Sequence, residues 1–202
     1  LFSFLSNTDQ EYLSIMNISY VSDNYYLCAG IESQVFDSHQ ITCKRDIDVY
    51  LQSYNPANYL VVGIENLFLR DYFIKKVNTL SLKYMVLMQD IIKDHCFKIG
   101  DVVFSSMECS PHYIQKIVRY FPKPRQNVLT QRELDILDVF HLQNVKIARE
   151  LDISQKTASG HRVNIQHKLR MKSKNTLAML RIKTAISRSN GSHLHGLLSQ
   201  QS

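Results

Sequence analysis

The chain has 202 residues, 45% hydrophobic and 21% charged, enough for one large or two small domains with cores that need neither disulfides nor metal. Its net charge of +6 is unevenly divided, residues 1–122 carrying −3 and residues 123–202 carrying +9, with no acidic residue after Asp152. The start lacks the basic flank of a signal peptide, no apolar run is long enough to span a membrane, and the four cysteines form no CxxC pair, so a reduced, cytoplasmic protein with no cofactor is expected.

Residues 1–15 read as an N-terminal extension, because strand-like alternation begins only after Met16. Strand-like runs then occur at Ile18–Val21, around Ile41–Cys43, at Tyr59–Ile64, at Tyr84–Met88 and at Asp101–Phe104. Helical periodicity fits the intervals near Leu27–Phe36, Asp46–Tyr54, Phe68–Leu80 and Ile91–Phe97. A fifth helix, His112–Tyr120, is entered through Ser110 as N-cap with Pro111 at the first helical position. This alternation predicts a five-stranded parallel sheet covered on both faces, a flavodoxin-like α/β domain over residues 16–120. Pro122 and Pro124 interrupt the pattern and make residues 121–128 a linker. Residues 129–187 read as an all-α domain, and residues 188–202 as a flexible tail.

Within the helical part, Thr130-Gln131-Arg132-Glu133 is a capping box that opens a first helix, with Leu134, Ile136, Leu137 and Phe140 as its apolar side. Ile147, Ala148 and Leu151 belong to a short second helix, Asp152-Ile153 forms a turn, and Ser154 caps a third helix from Gln155 to about Arg170. At about 100° per residue Ala158, Ile165 and Leu169 share one stripe, which predicts their burial. The opposite face carries Lys156, Ser159, Gly160, Val163, Asn164 and His167, small, polar or basic residues suited to a DNA major groove roughly 12 Å wide. Arg162 lies at the edge of the stripe and is assigned a phosphate or a structural partner. Gly160 costs about 1 kcal/mol relative to alanine in a helix interior. It is either a tolerated poor helix former or a device that brings the backbone close to DNA. His161 and His167 have no Cys or carboxylate spaced to complete a metal site.

These segments, with Lys146-Ile147-Ala148-Arg149-Glu150-Leu151 and Lys168-Leu169, resemble the LuxR/NarL (FixJ) class of four-helix DNA-binding domains. The resemblance implies that the third helix reads the major groove of double-stranded DNA. Lys156, Thr157, Ser159, Gly160, Val163, Asn164, His167, Lys168 and Lys172 would then lie at the nucleic acid. It also implies a fourth helix, Asn175–Ser187, that dimerises through Leu177, Leu180 and Ile182, with ordinary packing on the other helices as the alternative. The stretch His141–Val145 is shorter than its counterpart in the family, and Ser159 stands where a basic residue is usual.

The family often places a phosphorylatable receiver domain ahead of such a unit, and residues 17–120 are similar to one in element order. One of its acidic pair remains, as Asp23; the phosphate-accepting Asp falls on Gly63, the switch hydroxyl at or near Met88, and the phosphate-binding Lys on Ser105 or Ser106. Aspartyl phosphorylation needs metal-holding carboxylates, an Asp nucleophile and a cation. A degenerate receiver, not regulated by phosphorylation, is therefore expected. The expected function is a sequence-specific transcription regulator, not an enzyme, acting as a homodimer or as a heterodimer with a related regulator. RNA polymerase is a candidate further partner. An auxiliary regulator acting mainly through protein interaction is the alternative, motivated by Ser159-Gly160. A nucleotide second-messenger sensor is disfavoured, because Phe121-Pro122-Lys123-Pro124-Arg125 stands where such relatives carry an aromatic-plus-arginine motif. Tyr25 and Tyr26, beside the expected ligand edge, leave binding of a small ligand open.

Overall fold

The computed structural model describes residues 17–31, 36–120, 128–172 and 176–186. The expected extension, residues 121–127 of the expected linker and the expected tail lie outside the described residues. Six strands form one sheet: β1 (Ile18–Ser22), β2 (Phe36–Gln40), β3 (Tyr59–Gly63), β4 (Tyr84–Met88), β5 (Cys96–Ile99) and β6 (Val102–Ser106). Their order is β2-β1-β3-β4-β6-β5, and the pairings from β2 through to β6 are parallel. β1, β3, β4 and β6 are buried along their whole length, as strands covered on both faces must be. The five parallel strands have the flavodoxin-like order, which brings the carboxyl ends of β1 and β3 together where open α/β sheets bind ligands.

Two helices cover one face of the sheet. α1 (Tyr25–Ile31) and α4 (Pro111–Tyr120) pack Cys28, Ile114, Ile117 and Val118 against Ile18, Tyr20, Val61 and Met85. The other face carries α2 (Lys44–Ser53) and α3 (Leu67–Thr79), whose Ile47, Tyr50, Phe73, Ile74 and Val77 meet Val21, Leu60, Val62 and Val86. Local signals set the helix starts. Ser110 Oγ accepts from the Tyr113 amide at 3.2 Å, and Asn66 Oδ1 accepts from the amides of Phe68 and Leu69.

Two expected elements are corrected. Ile91–Phe97 is not a helix: Ile91 forms a lone bridge, and Cys96–Ile99 pairs antiparallel with β6. Phe97 and Ile99 point inward while Cys96 and Lys98 are half-buried, the period of a strand. Gly100, at φ 57°, makes the tight return into β6. The sheet is thus mostly parallel with one antiparallel edge. The second strand is Phe36–Gln40 rather than Ile41–Cys43, and the first helix is described over Tyr25–Ile31, residues 32–35 lying outside the described residues. Ile41 supplies an apolar signal because it is buried just beyond the strand, where its amide donates to the Ser22 carbonyl at 2.8 Å.

The rest is helical: α5 (Gln131–Asp138), α6 (Asn144–Glu150), α7 (Gln155–Lys168) and α8 (residues 176–186). Their core, built on Leu129, Ile136, Phe140, Ile147, Ala158, Ile165, Leu169 and Met179, is continuous with the core beneath α2 and α3. Among the described residues no helix is long and apolar enough to cross a membrane.

Candidate nucleic-acid interface

The helical unit is assembled from short-range bonds. Thr130 Oγ1 accepts from the Glu133 amide at 3.3 Å while the Glu133 carboxylate accepts from the Thr130 amide at 2.8 Å, which closes the capping box over the start of α5. Arg132 donates to the Leu151 carbonyl at 2.6 Å and ties the start of α5 to the end of α6. Asp152, at φ 51°, turns the chain from α6 towards α7. Aspartate is one of the few residues that adopts this left-handed conformation readily. Ser154 then caps α7, its hydroxyl accepting from the Thr157 amide at 3.0 Å.

Along α7, Ala158 and Ile165, with Leu169 just past its end, are fully buried, in the stripe that their spacing predicts. On the other side Lys156, Thr157, Ser159, Gly160, Asn164 and His167 are exposed and Val163 is half-buried. Arg162 takes the structural alternative. Its guanidinium donates to the Leu142 carbonyl at 3.1 Å and to Asn144 Oδ1 at 3.0 Å, and lies 4.4 Å above the Phe140 ring. It therefore clamps the short α5–α6 connection onto α7.

This arrangement of a capped α5, a short α6 and a solvent-facing α7 is matched by one family. Residues 127–181 fit the model for bacterial regulatory proteins of the luxR family. This segment is a LuxR-family helix-turn-helix domain. Two solved structures are also similar along most of the chain. The response regulator StyR is 15% identical, with 87% of this chain and 100% of that one covered and a TM-score of 0.30. The response regulator ChrA of a heme-sensing two-component system is 16% identical, with 89% and 98% covered and a TM-score of 0.24. No curated protein matches the chain.

Three residues of the LuxR-family domain that were expected at the DNA or the dimer contact are engaged elsewhere. Lys168 forms a 2.7 Å ion pair with Glu133, whose side chain is only 5% exposed. Lys172 pairs with Glu108 of the sheet part at 2.5 Å. Ile182 is fully buried and belongs to the domain's own core, leaving Leu177 and Leu180 as the exposed apolar residues of α8. The partners of both lysines are distant in sequence, so no local signal announces them.

The LuxR-family domain is docked on the sheet through the β4–β5 connection. Ile91 and Met171 form an antiparallel bridge, the Ile92 amide donates to the Arg170 carbonyl at 3.0 Å, and the Lys172 amide donates to the Asp90 carbonyl at 2.8 Å. An ion pair joins Arg181 Nη1 to Asp90 Oδ2 at 3.1 Å. A cleft of about 290 Å³ remains between the parts, lined by Ile92 on one side and by Val163, Gln166 and His167 of α7 on the other.

The four positions aligned with receiver chemistry lie at or near the carboxyl edge of the sheet. The Asp23 carboxylate accepts from the Glu65 and Asn66 amides at 2.9 and 2.8 Å, latching the loops after β1 and β3 together. Gly63 ends β3; its carbonyl accepts from Ser22 Oγ at 2.9 Å, and an added Cβ would lie 2.7 Å from the Tyr20 hydroxyl oxygen. Met88 is buried, and its carbonyl accepts from the Met107 amide at 3.0 Å. Ser105 and Ser106 are buried in β6, their hydroxyls donating to the carbonyls of His95 and Ile91.

Proposed function

We propose that the chain is a sequence-specific, double-stranded-DNA-binding transcription regulator whose α7 enters the major groove and whose activity is independent of aspartyl phosphorylation. The observation that carries this reading is α7 itself. One stripe is buried in a LuxR-family core, and the opposite side presents Lys156, Thr157, Ser159, Gly160 and Asn164 to solvent in a region free of acidic residues after Asp152. Lys156 near the helix start meets phosphate, and the small residues let the helix sit deep in the groove. Gly63 in place of a carboxylate supports phosphorylation independence, since no nucleophile stands at the end of β3. In this reading a receiver-like domain spans residues 16–120, a linker residues 121–128 and a DNA-binding domain residues 129–187.

The docked contacts also support a closed resting form. A duplex laid along α7 would meet the β4–β5 connection that shares the cleft with Val163 and His167, so binding requires the LuxR-family domain to move off the sheet. Leu177 and Leu180, 54% and 44% exposed, support a dimer through α8 with a second copy or a related regulator on a two-fold site.

Fluorescence anisotropy with fragments from upstream of its own operon tests the reading. Binding should weaken steeply with salt, and Lys156→Glu should reduce affinity at least tenfold. Absence of a specific complex with any genomic fragment would refute it.

A partner-docking regulator is the second reading. Tyr26 and Phe68, each 83% exposed, follow closely on the two loops latched by Asp23, and exposed aromatics at such an edge suit a protein partner. Unchanged promoter output in Lys156→Glu would favour it.

A further inference from the structure

The carboxyl edge of the sheet contains donors that neither DNA binding nor the domain latch uses. Arg70, on α3, is only 4% exposed. It lines a cavity of about 40 Å³ together with Arg181 of α8. Arg181 commits Nη1 to Asp90, while its Nε is buried with no partner. Burial, and then the neighbouring Arg181, pull the Arg70 pKa down to about 10, against the opposing pull of Asp71, Asp90 and Asp23. That is the behaviour of a cation taken out of water beside a second cation.

We propose that this cavity binds a small oxyanion, a phosphate or carboxylate group, between Arg70 and Arg181. A water needs roughly 10–15 Å³ by the same measure, so the space takes about three waters or one such group. A guanidinium fork matches two oxygens of either anion. The nearby negative groups are engaged: Asp90 by Arg181, Asp23 by two backbone amides, and Glu65 by the side-chain amide of Gln89. Glu65 nevertheless lines the cavity and opposes an anion, which sets the sign of one variant below. Because Arg70 belongs to the sheet and Arg181 to the LuxR-family domain, the bound anion bridges the two. Binding is noncovalent and makes no use of Gly63.

Titration calorimetry of the full chain with sodium phosphate and with sodium acetate, each against sodium chloride at equal ionic strength, reads the site. Saturable binding of phosphate or acetate, absent with chloride, is expected, and the tighter of the two identifies the anion. Arg70→Lys and Arg181→Gln should each weaken binding at least tenfold, and Glu65→Gln should strengthen it severalfold. The Arg181 side chain is 25% exposed, so its replacement tests the site even if the Arg70 variant does not fold. Asp90→Asn breaks the ion pair but keeps both arginines, and it should retain binding. No saturable binding, undiminished binding in Arg181→Gln, or a loss in Asp90→Asn as complete as in Arg181→Gln would overturn the proposal and leave the cavity to water. None of these readouts involves DNA, so they stand apart from the operator assay.

Discussion

The Tyr20 hydroxyl occupies the space that a side chain on Gly63 would need, 2.7 Å from the position of a Cβ, with Tyr20 Cζ at 3.1 Å. Tyr20 is 2% exposed, so its ring has no room to swing into solvent. Burial, the largest influence, raises its pKa and keeps the phenol neutral. Gly63→Ala should therefore destabilise the fold by about 1–3 kcal/mol through overpacking, and Tyr20→Phe in the same chain should recover part of that loss. Urea melts measure both. Gly63→Asp should remain unlabelled by acetyl phosphate and Mg²⁺; stoichiometric, acid-labile labelling would show that the edge still performs receiver chemistry.

Glu133 makes the stability of the LuxR-family domain pH-dependent. Burial alone would raise its carboxyl pKa, but the Lys168 ammonium and the Thr130 amide and hydroxyl outweigh burial and hold it below the usual range. A depressed folded value means that the stabilisation is fully present above the unfolded carboxylate value of about 4.3 and is lost as pH falls through the folded one. Thermal melts between about pH 6 and pH 3 should show this loss in the wild type and less of it in Glu133→Gln. At neutral pH that variant should be about 1–2 kcal/mol less stable, from the weakened cap and the missing pair. Parallel pH profiles for the two proteins would remove Glu133 from the account.

Gly160 has nothing within 4 Å of where a Cβ would project, so the folded chain gives no internal reason for a glycine there. Gly160→Ala should raise stability by about 0.5–1 kcal/mol. If the missing side chain serves close approach to DNA, the same variant should bind operator DNA several-fold more weakly. A more stable protein with unchanged affinity would mean that the glycine is merely tolerated.

Glu108→Gln tests the closed form from the side of the chain that does not touch DNA. It removes the 2.5 Å partner of Lys172, an exposed pair worth about 0.5–1 kcal/mol at most. Apparent DNA affinity scales with the fraction of molecules in the competent form, so it should rise roughly two- to fivefold. Weaker binding instead would mean that the docked arrangement does not compete with DNA.

Short-range signals made much of this legible before any coordinates. Tyr84–Met88 has the same limits in sequence and structure because a five-residue apolar run can only be a fully buried strand here. The Thr130 box, the Ser154 cap and the Ala158–Ile165–Leu169 stripe are likewise local, each settled within a turn or two of helix. What local signals do not carry depends on distant partners. Ile91, Ile92 and Phe97 fall at spacings that fit a helix, and only pairing with β6 makes Cys96–Ile99 a strand. Lys168 and Lys172, expected at the nucleic acid, have carboxylate partners 35 and 64 residues away, which no local signal announces. Tyr20 gave no sign that its ring tip reaches Gly63, since strand periodicity reports which face a side chain occupies and not how far it extends.

The bridge between Ile91 and Met171 is made of main chain, and so are the two bonds that flank it. Side-chain chemistry can drift around such a junction without dissolving it. The junction also comes with its own gauge: the Ile92 and Lys172 amides exchange with solvent deuterium only when the halves part. Their protection factors would report the free energy of parting directly, in the absence of any DNA or partner.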